Sequence, residues 1–192
     1  MAENDSTLLG NFNFRVKLRK SPRAAEGASE TDQAPSAAEQ GDLLTEGGFQ
    51  ECTGLDVEMD VQELVEGGRN DGVIQRVGRG KYTNIVLKRG MFVDGDAGTA
   101  SDVIWGWLQG ILSGVRPVPR YDGVIELLDG QGEAGGSVLA TWTFDRGLPA
   151  KVAGPALNAK TGDVAIEELH IAHEGLRLVQ PDGGGDASFT VG

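Results

Sequence analysis

Residues 63–90 read ELVEGGRNDGVIQRVGRGKYTNIVLKRG, and the fold turns on how this stretch is parsed. It opens as the end of a strand at Glu63-Leu64-Val65 and continues as a long, glycine-rich and charged arm. It closes on a strand of alternating character from Tyr82 to Arg89, with Thr83, Ile85 and Leu87 set against Tyr82, Asn84, Val86 and Lys88. Gly67-Gly68 and Asn70-Asp71-Gly72 supply the residues that tolerate positive φ, so they predict a chain that doubles back. A long irregular arm inside a small domain points to function, although it names no ligand.

Working outward, Phe49 to Val65 reads as one strand. Leu55, Val57, Met59 and Val61 share one face, and Asp56, Glu58, Asp60 and Gln62 the other. Carboxylates along one strand face point in parallel, so Asp56, Glu58 and Asp60 predict a solvated acidic face and not a cation site. Arg69, Arg76, Arg79 and Lys81 on the arm then read as charged partners for the acidic ladder of another copy, with register set by complementary charge. Further upstream, Asn11 to Arg19 alternates as a half-buried strand, with Phe12, Phe14, Val16 and Leu18 inward and Asn13, Arg15, Lys17 and Arg19 outward. Between these strands, Ser21 to Gly47 is rich in Ala, Glu, Gly and Ser, and Leu43 and Leu44 are its only large apolar residues; it is expected to be an inserted flexible loop.

Downstream, Val103, Ile104, Trp107, Leu108, Ile111 and Leu112 form one stripe of a helix expected over Ala100 to Ser113, with Thr99 or Ser101 as its cap and Gly114 as its stop. Trp105 lies just off the stripe and is expected to anchor an interface, as exposed aromatics do. Tyr121 to Asp129, a glycine-rich turn at Gly130 to Gly136, and Ser137 to Asp145 read as a meander. Gly147 to Asn158 lacks periodicity, and a last strand from Asp163 to Val179 is expected to break at Gly175. Pro181 to Gly192 is a glycine-rich tail. The sum is a mainly β (α+β) chain: one domain over residues 1–192, with two packed antiparallel sheets forming a small barrel or sandwich and one helix on them.

Lys and Arg number 17 against 29 Asp and Glu, a formal net charge of −12, which repels nucleic acid. Cys52 is the only cysteine, so no intrachain disulfide can form. The acidic start predicts no signal peptide, and no apolar run is long enough to span a membrane. A phosphate loop fails at Gln75 and Tyr82, and a dinucleotide fingerprint fails at Thr83. His170 and His173 are expected on opposite faces of a strand as structural residues, and Glu167 and Glu168 are split in the same way. No enzyme, metal site or cofactor is indicated.

Three separated segments carry a resemblance. FQECTGLDVEMDVQELV at 49–65, the arm EGGRNDGVIQRVGRGKYTNIVLKRG at 66–90, and PALNAKTGDVAIEELHIAHEGL at 155–176 occur in the order seen in tail tube proteins of contractile phages and phage-like contractile injection systems. The chain resembles that family over residues 11–20 and 48–179. The resemblance implies that six copies close into a ring, that rings stack into a hollow tube, and that the arm lies where subunits and rings meet. The implied interface residues are Glu66, Gly67, Gly68, Arg69, Asn70, Asp71, Gly72, Arg76, Arg79, Lys81 and Trp105. The acidic face of Asp56, Glu58 and Asp60 would then be solvated or lumen-facing. Implied partners are further copies of the chain, sheath and baseplate proteins, and DNA or protein cargo passing without specific binding. Synthesis in the cytoplasm and assembly into a phage tail or injection particle follow from the same likeness. Two other readings stay open: a tube initiator or adaptor at the baseplate, suggested by the 21–47 insertion, and a monomeric β-domain binding module.

Overall fold

The computed structural model describes residues 13–22, 43–47, 49–65, 67–68, 72–91, 102–129, 137–158, 160, 162 and 164–179. The expected turn at 130–136, the helix cap at Thr99 or Ser101, most of the 21–47 insertion and the 181–192 tail lie outside them.

Alternation in the sequence becomes strand β1 at Phe14–Lys20, with Val16 and Leu18 fully buried. It lies between β2, Leu43–Gly47, and β7, Tyr121–Leu128, antiparallel to both. β7 pairs in turn with β8, Val138–Ala153. The last five residues of the expected insertion are therefore a strand and not a loop. Their own composition is too poor in apolar residues to announce this; the ladder to β1 supplies what the side chains do not.

β8 is 16 residues long and replaces the expected strand followed by an aperiodic linker. Its first part pairs with β7 and with β10, Gly175–Val179; its last part pairs with β9, Ile166–Ala172. The change of partner falls at Arg146, which adopts φ 54°. Its amide donates to Asp122 Oδ1 at 2.8 Å, and its Nε donates to Glu174 Oε2 at 2.8 Å, so the corner is held by side chains on both sides. Pro149, which removes a ladder donor, sits where the β8–β9 register shifts, a place where a strand tolerates it.

β9 pairs with β6, Ile85–Gly90, which pairs with β3, Glu51–Thr53. The strand order β2-β1-β7-β8-β9-β6-β3, with β10 also on β8, is an open path. The sheet bends at β8, and its two halves share one core: Val16, Leu18, Ile125 and Phe144 from one half meet Ile85, Leu87, Leu169 and Ile171 from the other. Burying each such side chain stabilises the fold by roughly 1.5–3 kcal/mol. The arrangement is a sandwich-like wrap, and no closed barrel forms among the described strands.

Helix α1, Val103–Leu112, packs against β8 and sends Ile104 and Trp107 into this core. Trp107 Nε1 donates to the Pro119 carbonyl at 3.0 Å, and its ring meets Tyr121 edge-on. At its end the Gly114 amide donates to Ile111 O and the Val115 amide to Gly110 O, which satisfies the last carbonyls as the chain turns away. The outer ends of the expected stripe, Val103 and Leu112, stay exposed.

One buried ion pair crosses β6 and β9. Arg89 Nε donates to Glu167 Oε1 at 2.7 Å, with both side chains buried. Arg89 Nη1 also donates to Thr45 Oγ1 on β2 at 3.2 Å, and the guanidinium lies over the Phe49 ring. The far edge of one half-sheet is thereby tied to the middle of the other.

Candidate subunit interface

The stretch from Val57 to Tyr82 stands apart from this core as a separate two-stranded sheet. β4, Val57–Leu64, and β5, Ile74–Tyr82, form an antiparallel hairpin, so most of the expected irregular arm is a strand and only its tip turns. The expected single strand from Phe49 to Val65 is split between β3 and β4. The reason is Gly54: at φ 85° it passes so close to Asn84 that a Cβ would lie 2.1 Å from the Asn84 carbonyl oxygen. Thr83 and Asn84 break the downstream strand in the same place, so both legs of the hairpin leave the body together.

The register assigns the faces. Val57 lies opposite Tyr82, Met59 opposite Gly80, and Val61 opposite Val77, which gathers an apolar stripe on one face. Glu58 lies opposite Lys81 and Gln62 opposite Arg76, which makes the other face polar until Leu64 meets Ile74 near the tip. Between Met59 and Val61 the register shifts by one residue. Asp60 there faces Gly78 so closely that a Cβ on Gly78 would lie 2.5 Å from the Asp60 carbonyl oxygen, so this β-bulge requires glycine.

Every residue of β4 is exposed. On the apolar face Val57 is 61% exposed, Met59 58%, Val61 58% and Val77 77%, more than isolated surface residues would explain. A lone two-stranded hairpin is at best marginally stable in water, so a hairpin with an uncovered apolar face calls for a covering surface.

The residues expected at an interface distribute unevenly. Gly67, Gly68, Gly72, Arg76, Arg79 and Lys81 all lie exposed on the hairpin or its tip. Glu66, Arg69, Asn70 and Asp71 lie outside the described residues. Asp56 precedes β4, and Glu58 and Asp60 lie along it. The expected pairing of basic arm with acidic ladder between copies is already made in part within one chain: Lys81 Nζ donates to Asp60 Oδ1 at 2.8 Å. That hydrogen bond holds the Lys81 ammonium above its usual pKa range. Among the described residues, Arg76 and Arg79 have no ion-pair partner. Trp105 is elsewhere, half-buried on α1 with its ring against Gly154, so the structure does not bring it to the hairpin.

Sequence reasoning missed the hairpin's root. His173 does not lie in a strand but in the turn between β9 and β10, where its ring nitrogens stand 3.0 Å from the carbonyl oxygens of Gly175 and Thr83. His170 instead contacts Glu168 at 3.3 Å. Cys52 is a packing residue whose thiol burial pushes up to about 12. Among the described residues no group of three or more His, Cys, Asp or Glu could hold a metal ion, and no helix is long and apolar enough to cross a membrane.

The sequence matches the family described as T4-like virus tail tube protein gp19 over residues 10–177, a span that includes the hairpin and the body as far as the middle of β10. The chain belongs to that family. Its members are structural tube proteins and not enzymes, which places the hairpin in an assembling component. No curated protein matches the sequence.

Solved structures share the tail tube fold. A chain of the 6-fold symmetrised cryo-EM structure of the anti-feeding prophage (AFP) baseplate is 20% identical, with TM-score 0.68 over 91% of this chain and 97% of that one. A chain of the PVC sheath-tube complex, an extracellular contractile injection system in the extended state, is 20% identical with TM-score 0.66 over 92% and 94%. A chain of the AFP tube terminating cap is 19% identical with TM-score 0.61 over 94% and 99%. These likenesses show a shared fold.

Proposed function

We propose that this chain is the repeating inner tube subunit of a contractile tail or injection particle, with six copies closing into a ring and rings stacking into a hollow conduit. The observation that carries the reading is the β4–β5 hairpin, exposed on both faces and apolar on one. A ring and a stack both need heterologous contacts, in which one patch of a subunit meets a different patch of its neighbour. A projecting hairpin meeting the body of the next copy is such a contact. Its stripe of Val57, Met59, Val61 and Val77 would be covered there, while Glu58, Gln62, Arg76 and Lys81 stay wet. Sheath and baseplate proteins are the further partners, and DNA or protein cargo passes without specific binding past a chain of net charge −12.

Negative-stain electron microscopy of the purified protein over a concentration series tests this directly. Six-fold rings or stacked tubes formed by the protein alone are the expected result. Rings that form only with baseplate proteins would move the chain to an initiator or adaptor at the tube's end, a position that the fold shared with the AFP terminating cap also allows. Monomers under both conditions would overturn the tube reading and leave a monomeric binding module.

A further inference from the structure

The turn between β9 and β10 is a platform held by a backbone hydrogen bond and several ion pairs. The Glu174 amide donates to the Asp145 carbonyl at 3.0 Å. The Glu174 carboxylate accepts from Arg146 Nε at 2.8 Å and from Arg120 Nη1, two guanidinium groups on one carboxylate. Arg177 pairs with Asp145 at 2.7 Å beside it. His173 stands on this platform with its ring against Phe144 of the core, centroids 5.6 Å apart.

From there the ring reaches the root of the hairpin. Nε2 lies 3.0 Å from the Thr83 carbonyl oxygen, and the ring meets Tyr82, the last residue of β5, at 5.4 Å. Nδ1 lies 3.0 Å from the Gly175 carbonyl oxygen of its own turn. A carbonyl oxygen only accepts, and a neutral imidazole carries one N–H, so the tautomer with its proton on Nε2 donates to the Thr83 carbonyl. Nε2 thereby holds the hairpin, while packing on Phe144 seats the ring on the turn. Tyr82 lies opposite Val57, on the apolar face, so the ring sits at the foot of that stripe.

We infer that His173 is a positioning residue that latches the root of the β4–β5 hairpin to the β9–β10 turn and so sets the direction in which the hairpin projects. The direction matters because a ring closes, or a stack propagates, only at the rotation its contacts impose. The consequence for assembly rests on the tube reading; the latch itself does not.

Hydrogen exchange on the unassembled protein reads the latch without any assembly. The Thr83 amide, which donates to the Asp56 carbonyl at 3.4 Å, reports on the root, and the Leu87 and Leu169 amides report on the core. His173→Phe keeps a ring between Tyr82 and Phe144 but donates nothing. His173→Asn keeps a donor near the Nδ1 position, and His173→Gln keeps one near Nε2. Phe and Asn are expected to speed Thr83 exchange about tenfold, the scale of one lost hydrogen bond, with core exchange unchanged, and Gln is expected to restore most of the protection. Unchanged root exchange in Phe and Asn, or equal loosening in Asn and Gln, would overturn the latch. If the wild type forms tubes, the loosened variants should need about tenfold more protein to do so; tubes at the wild-type concentration would remove the positioning role. A wild type that never assembles would count against the tube reading, and the exchange data would still decide the latch.

Discussion

β6 in the body and β4 in the hairpin alternate with the same period and meet opposite fates. Ile85 and Leu87 are buried against β9 and the core, whereas Val57, Met59 and Val61 face solvent. The charges differ in the same sense: Arg89 and Glu167 neutralise one another inside the body, while Glu58, Arg76 and Lys81 stand on an exposed face. Period-two patterning specifies that a strand has an apolar face. Whether the covering surface belongs to the same chain is a separate fact. The body covers its own core faces, whereas among the described residues nothing covers the apolar face of the hairpin.

If that division holds, the largest effect on the isolated chain comes from breaking the buried pair. Glu167→Ala leaves the Arg89 charge at 7% exposure without its carboxylate, a change that costs about 3–5 kcal/mol and should appear as a large drop in the urea midpoint. Among the described residues Glu167 Oε2 has no hydrogen-bond partner, so the pair is not fully satisfied. Replacing both partners by apolar residues, as in Arg89→Met with Glu167→Leu, should therefore cost far less than the single change. A small loss in Glu167→Ala would mean that water reaches this site and that the body is less self-contained than the hairpin comparison requires.

The next effect should fall on assembly while sparing the fold. Val61→Asp places a carboxylate in the middle of the stripe. In the isolated chain the site is exposed, so the urea midpoint should move by no more than about 0.5 kcal/mol in stability. At a subunit contact the same carboxylate would be desolvated without a partner, which should raise the protein concentration needed for tubes about a hundredfold or more. Gln62→Glu, one residue along and on the polar face, should change neither. Equal loss of assembly in both variants would mean that the two faces of the hairpin are not distinguished, and the apolar stripe would lose its role.

Much of the body was legible because its signals are local. The signals of β1, of the stripe around Ile104 and Trp107, and of the meander of β7 and β8 each lie within a few residues, as does the break expected at Gly175, which falls just before it at His173-Glu174. What escaped was fixed by neighbours far along the chain. Leu43–Gly47 is a strand because β1 pairs with it and Arg89 reaches Thr45. β8 runs through Pro149 because β9 shifts register there. The strand expected from Phe49 ends early because Gly54 must pass the Asn84 backbone. At the candidate site, the turn residues and charges of the hairpin were visible and its bulge was not, since Gly78 is required only by the approach of Asp60. His173 read as an ordinary structural histidine because its partner Thr83 lies 90 residues earlier.

The smallest effect separates charges that act within a chain from those free to act between chains. Lys81 is engaged with Asp60 on its own hairpin, at the surface, where such pairs contribute little. Lys81→Gln should leave the urea midpoint and the tube-forming concentration where they are. Arg79 follows the bulge, is exposed, and among the described residues has no ion-pair partner. If it meets a carboxylate of a neighbouring copy, Arg79→Glu turns attraction into repulsion without touching the fold. Tube formation should then weaken several-fold at low salt, and the difference from wild type should shrink at about 1 M salt, where screening reaches only about 3 Å. Identical behaviour of Arg79→Glu and wild type at low salt would leave the apolar stripe as the sole adhesive feature of the hairpin. A loss that persists unchanged at high salt would place Arg79 in a packed contact instead, on the face of the hairpin opposite Val77.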